Sequence, residues 1–256
     1  MKNYILTSVL LCSLILLFSC EIKKDKQKIK PYKAGVILSF DDAYINEWYD
    51  ADQVLKKYSW KATFCVCKIN TLSDTEIKKI LKLQKEGHEI AGHGLHHYNA
   101  SKFATKYGID EYIKQEINPM LDTMKKLSIN ITSFAYPYGG KSAALDAALL
   151  NKFKIVRGRS FGDEIPAEQS CYFNKSRIVY GFDIDNSHVH FSVPYLIKLL
   201  DYAKENNKIL ILCSHKTVND VTLNYQTKVE TLELICAYMK RNDMKFYTLS
   251  DLNKLQ

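Results

Sequence analysis

Residues 34–44 read AGVILSFDDAY. The run from Ala34 to Phe40 is apolar or small, with no polar alternation. A strand with one wet face alternates; an unbroken apolar run marks a strand covered on both faces, as in parallel sheets. Two adjacent carboxylates, Asp41 and Asp42, then close the run. Side by side they repel each other unless a cation offsets their charge.

Further strands recur along the chain. KATFCVC (61–67), HEIAGH (88–93), ITSFAYP (131–137), KIVRG (154–158), SRIVYG (176–181), KILILCSH (208–215) and KFYTL (245–249) all read as strands. Between them the spacing predicts helices over 46–58, 74–87, 110–127, 142–152, 193–207 and 225–242. Ser73 with Glu76 forms a capping-box pattern ahead of the second of these, and Gly87 suits its end. Alternating strands and helices imply parallel strands joined by right-handed crossovers. Seven or eight such units in one domain predict an α/β fold, a distorted (β/α) barrel; an open doubly wound sheet is the rival. No G-x-G-x-x-G or G-x-x-x-x-G-K-[ST] occurs to suggest a nucleotide.

Polar residues gather at the predicted strand ends. Asp41 and Asp42 end the first strand, and His93 ends the third with His97 in its loop. Tyr136, Pro137 and Tyr138 end the fourth, and His215 ends the seventh. In a barrel of this kind the carboxyl ends of the strands form the face that carries chemistry. One Asp and two His are common zinc ligands, and three protein ligands leave a position open for water. A divalent cation would also relieve the repulsion between Asp41 and Asp42. It would lower the pKa of water at its open position towards neutrality. One carboxylate would then bind metal while its neighbour accepts a proton, and His215 would protonate a leaving group.

The N-terminal stretch differs in kind from the rest of the chain. Lys2, an apolar stretch from Leu6 to Phe18 and the sequence LFSC read as a secretory signal. Leu17, Ser19 and Cys20 resemble a lipobox, which makes Cys20 the expected lipidation site and a bacterial membrane the expected partner through that lipid anchor. Residues 20–30 are lysine-rich, carry no core pattern and read as a tether. The expected organisation is a signal over 1–19, lipidated Cys20 and tether over 20–30, and one catalytic domain over 31–256. The net charge is +8, and removing residues 1–19 leaves +7. The lysines are spread over helix faces and the tether, so no nucleic-acid partner is expected. Beyond Cys20, five cysteines remain: Cys65, Cys67, Cys171, Cys213 and Cys236. An odd number cannot all pair within the chain, and core packing is the expected role of Cys65 and Cys67.

SFDD (39–42), HGLHH (93–97), FAYPYGG (134–140) and LCSH (212–215) together resemble the ordered motifs of the polysaccharide deacetylase family, the family 4 carbohydrate esterases. The resemblance implies a distorted (β/α) barrel that removes acetyl groups from N- or O-acetylated sugars. It implies Asp41 as general base, Asp42, His93 and His97 as ligands of a divalent metal (zinc first), and His215 as general acid. The Tyr138 N–H would help hold the oxyanion, with Tyr136, Pro137 and Tyr138 in contact with an acetylated glycan. The sequence also departs from the family. Gly94 replaces a Ser or Thr, and His96 offers an alternative to His97. Ala135 replaces an Arg that orients the base, a place Arg157 or Arg159 could take. Ser214 replaces a Leu at the acetyl pocket, and Asp183 or Asp185 is left to orient His215. His188 and His190 have no assigned role. Ala135, Gly94 and Ser214 motivate a second reading, a non-catalytic glycan-binding lipoprotein; a third is an amidohydrolase or esterase that uses the same metal-bound water on a small non-sugar acyl compound.

Overall fold

The structure, a computed structural model, describes residues 32–256. The expected signal, Cys20 and the expected tether lie outside the described residues.

The first half of the fold runs β1 (Gly35–Asp42), α1 (Ile45–Leu55), β2 (Ala62–Val66), α2 (Asp74–Lys85), β3 (Glu89–Gly92), α3 (Ala100–Tyr107), α4 (Ile109–Tyr112), a π-helical turn (Ile113–Ile117), α5 (Asn118–Lys126) and β4 (Ser133–Ala135). The second half runs α6 (Ala143–Leu150), β5 (Ile155–Ser160), β6 (Ile178–Asp183), α7 (Val193–Glu205), β7 (Ile209–Ser214), β8 (Lys216–Val218), β9 (Gln226–Lys228), α8 (Val229–Arg241) and β10 (Lys245–Tyr247). Strands β1 to β7 follow one another in parallel, and β7 pairs back onto β1, so the sheet closes into the expected barrel. The eighth parallel strand is not a stave. β10 pairs with β1 over Gly35–Ile37, and β2 takes the same flank of β1 from Leu38 to Asp42.

The barrel is distorted where its pairing is thin. β3 and β4 share the single pair Gly92–Phe134, and β6 meets β7 only at Phe182–Leu212 and Asp183–Cys213. Before that contact the start of β7 is covered by residues 171–173. Phe173 N–H donates to Ile209 O, and Ile211 N–H donates to Cys171 O.

Alternation along β1 sorts its side chains. Val36, Leu38 and Phe40 pack outward under the helices, whereas Ile37 belongs to the interior cluster. With a period of two, Ser39 and Asp41 share the interior side with Ile37. On the outer side Phe64 stacks on both Phe40 and Trp48, with centroids 5.5 and 5.2 Å apart, and helps bind α1 to the barrel. The interior is apolar towards the amino end, where Tyr247, Leu249 and Leu252 join Ile37, Ile155 and Ile209. Towards the carboxyl end it becomes polar: Asp41, Arg157 and Asp183 are buried there.

Several element boundaries differ from expectation. The helix expected over 46–58 ends at Leu55 and finishes as a 3₁₀ turn closed by Ser59 at φ +53°. The helix expected over 225–242 begins at Val229, because residues 226–228 pair with β8. Helix α3 was not expected; Asn99 caps it by accepting the Lys102 N–H at 3.0 Å. The capping box on α2 forms as read, worth about 1 kcal/mol. Cys65, Cys67, Cys171, Cys213 and Cys236 are all buried free thiols. Among the described residues no helix is long and apolar enough to cross a membrane.

Candidate active site

Asp42, at the end of β1, leaves the strand at φ +85°. An L-residue rarely adopts that conformation, and where it does, the surroundings must hold it there. The turn brings Asp42 Oδ1 to 3.0 Å from His97 Nε2 and 3.6 Å from His93 Nε2. The two imidazole nitrogens are themselves 3.2 Å apart. Ligands about 2.0–2.2 Å from one tetrahedral centre are spaced about 3.3–3.6 Å apart, so the three donors fit a zinc-like ion. The tautomers fit too. His93 Nδ1 lies 2.9 Å from Ala135 O, so Nδ1–H donates to that carbonyl and Nε2 keeps its lone pair for the site. Burial holds the His93 pKa down to about 4, against the pull of Asp41 and Asp42, so the ring is neutral.

His96, the alternative ligand, faces elsewhere: its Nδ1 lies 3.1 Å from Glu116 Oε2. Asp183, Asp185 and His215 form a second cluster of possible ligands. Its members are already engaged, Asp183 by Arg159 and Asp185 by His215.

Asp41 is buried beside Asp42, His93 and His97. Arg157, fully buried on β5, donates from Nη2 to Asp41 Oδ1. Burial alone would raise the Asp41 pKa. Arg157, His93 and His215 outweigh it and hold the carboxyl well below the usual carboxylate range. Arg159, two residues on, pairs instead with Asp183 on β6.

His215 follows β7. Its Nδ1–H donates to Asp185 Oδ2 at 2.5 Å, and its backbone N–H donates to Asp185 Oδ1 at 3.2 Å. Thr227 on β9 also donates to Asp185 Oδ1, at 2.8 Å. Burial disfavours a charged His215, but Asp185 first, then Asp41 and Asp183, reverse that and raise its pKa to about 9. His215 is therefore an imidazolium at neutral pH.

One cavity of about 210 Å³ is lined by Asp41, Asp42, His93, His97 and His215, with Tyr138, Arg159 and Tyr225 around them. Tyr138 is 62% exposed, sits at φ +58° and lays its ring 4.6 Å from that of His97. Tyr225 is 55% exposed, with its ring 5.1 Å from that of His215. Tyr136 and Pro137 are buried and do not line the cavity; Tyr136 donates its hydroxyl to Asp146 at 2.9 Å. Larger hollows occur at the amino end of the barrel, around Glu89 and around Lys245, without a converging set of ligand atoms among the described residues.

The sequence reading missed Tyr225, Glu116 and Thr227. Tyr225 stands in a loop ahead of a three-residue strand, with no periodicity to mark it. Glu116 left a signal: a carboxylate on the stripe Tyr112, Glu116, Met120, Met124, where the other residues are core.

The family model for polysaccharide deacetylase matches residues 28–155, half of the chain. The chain belongs to the polysaccharide deacetylase family. No curated protein matches it. Among solved structures it is similar to the peptidoglycan deacetylase PdaC from Bacillus subtilis, 21% identical over 88% of this chain and 92% of that one, with a TM-score of 0.56. It is similar to the Xyl-CE4 domain of a multidomain xylanase from the hindgut metagenome of Trinervitermes trinervoides, 21% identical over 87% and 90%, TM-score 0.56. The chitin deacetylase from the fungus Colletotrichum lindemuthianum is 15% identical over 86% and 88%, TM-score 0.56. These likenesses share the fold.

Within the polysaccharide deacetylase family, the departures of this chain have local structural answers. Ala135 and Arg157 are register partners on β4 and β5, so the arginine expected on one strand stands on the next. Ser214 turns away from the cavity and bonds Thr227 at 2.8 Å and Asp185 at 3.3 Å. Gly94, at φ +85°, leaves room for Glu116.

Proposed function

We propose that the chain is a metal-dependent hydrolase that removes acetyl groups from an N-acetylated, or O-acetylated, polysaccharide or oligosaccharide. The observation that carries this reading is the convergence of Asp42, His93 and His97 in one cavity with Asp41 and His215. Family membership, and solved neighbours described as peptidoglycan and chitin deacetylases, support it.

Asp42, His93 and His97 would hold the ion. Zinc suits the donors best, and other first-row divalent ions suit them as well. Bound there, the ion would polarise the acyl carbonyl and acidify the attacking water. Asp41, kept ionised by Arg157, accepts the proton that water loses. His215 arrives charged, with Nδ1–H held by Asp185, and its other ring N–H is the proton for the leaving nitrogen or oxygen. The Tyr138 N–H supplies a donor for the oxyanion; one such donor is typically worth about 3 kcal/mol of barrier. Tyr138 and Tyr225 offer exposed rings against which a sugar can lie. Export through the signal, with Cys20 lipidated, would anchor residues 31–256 to a bacterial membrane by the tether.

Acetate release from a panel of N- and O-acetylated oligosaccharides tests the reading. Release should be lost on chelation and in Asp41→Asn. A pure, zinc-loaded protein that releases no acetate from any member of the panel would contradict it.

A further inference from the structure

The loop between the two histidines is tied down by one carboxylate. Glu116 is fully buried. Its Oε2 accepts the His96 N–H and its Oε1 accepts the Tyr98 N–H, each at 2.6 Å. These two amides flank His97, whose backbone sits at φ +67°. That conformation persists only where neighbours hold it. The fit is close on the other side of the loop as well. A Cβ on Gly94 would lie 3.1 Å from Glu116 Oε1, so a glycine there admits the carboxylate.

The helix carrying Glu116 explains how it gets there. Pro119 has no N–H for the carbonyl four residues back, and its ring crowds that carbonyl. The preceding turn widens into a π-helix, with Asn118 N–H donating to Ile113 O. Such single π turns often sit at functional sites. Glu116 falls in this turn, buried along with Tyr112, Ile117 and Met120. A buried carboxylate is costly unless its oxygens are bonded. Here they are bonded to two loop amides and the His96 ring. An apolar residue at 116 would pack the helix and leave both amides without acceptors.

We propose that Glu116 is a positioning residue for the metal site: both of its oxygens are needed to hold the 94–98 loop in the conformation that presents His97 to Asp42 and His93. The proposal rests on the metal reading of those three residues.

Zinc titration by calorimetry on the chelated full chain, with amide hydrogen exchange at His96 and Tyr98, tests it. Glu116→Gln keeps the shape but only one acceptor oxygen, so one amide loses its bond. The zinc Kd should rise about 10- to 100-fold, the usual effect of removing a partner behind a metal ligand. The freed amide should exchange faster in the metal-free chain. Should that variant fail to fold, Glu116→Asp keeps the charge on a shorter arm and is read the same way. A folded variant with wild-type zinc affinity and wild-type exchange overturns the proposal and leaves the metal site standing. His96→Ala keeps both amide bonds and should leave the zinc Kd nearly unchanged. A loss as large as that in His97→Ala would make His96 a ligand and overturn the assignment. A wild-type chain that takes up no zinc refutes the metal reading itself, and this proposal with it.

Discussion

Arg157 stands beside Ala135 in the parallel register of β4 and β5 and donates to Asp41 from a fully buried position. Asp41 and its cation are therefore supplied by β1 and β5, and the small side chain of Ala135 lies between them in strand order. Removing one partner of a buried pair leaves an uncompensated charge. Arg157→Ala should cost about 3–5 kcal/mol in denaturant unfolding and abolish most activity. The double variant Arg157→Ala with Ala135→Arg moves the cation one strand over and should recover part of both. If Arg157→Ala keeps full stability and activity, Arg157 does not support Asp41.

The His215–Asp185 pair makes stability depend on pH with a definite sign. The folded pKa of His215, about 9, lies above its ordinary value of 6.5. The stability contributed by the raised pKa of His215, from Asp185 first and then Asp41 and Asp183, is full below about pH 6.5 and is lost as pH rises through 9, a change of about 3 kcal/mol. Unfolding of the chelated protein across that window should show the loss, and Asp185→Asn should flatten it. In turnover, Asp185→Asn should also move the alkaline limb of the pH profile to lower pH. A limb unchanged by this substitution would remove His215 from the role of acid.

Tyr138 separates side chain from backbone. Its φ of +58° suits glycine, so Tyr138→Gly should fold normally and keep the backbone N–H. Only the exposed ring is lost, and an aromatic contact of this kind is worth about 0.5–1.5 kcal/mol. The KM for an oligosaccharide should therefore rise about 3- to 10-fold with kcat little changed. A collapse of kcat instead would place the ring in the chemistry.

Much of this site was legible in the strand pattern, because the strands concerned end in polar residues. Asp41, Asp42, His93 and His215 could be placed that way. Choices between near neighbours could not. Arg157 and Arg159 share one face of β5, and only their depth in the barrel decides which meets Asp41 and which meets Asp183. Asp183 lies on β6 and Asp185 just past it; the latter reaches His215 because β9 supplies Thr227 to hold it. Three-residue strands such as β8 and β9 carry too little periodicity to be read. Tyr136 looked like a substrate contact from its motif, yet its hydroxyl is taken by Asp146. Helix α3 carries the stripe Ala100, Phe103, Ala104 and Tyr107, but it is only eight residues long and fully buries Ala100 alone, too short a pattern to be read as a helix.

The central claim is that Asp42, His93 and His97 hold a metal ion together. Elemental analysis of the purified protein, wild type against His97→Ala, tests it most directly. Close to one equivalent of a first-row divalent metal is expected in the wild type and almost none in the variant. Equal metal content in the two, or none in a wild type supplied with zinc, would contradict it.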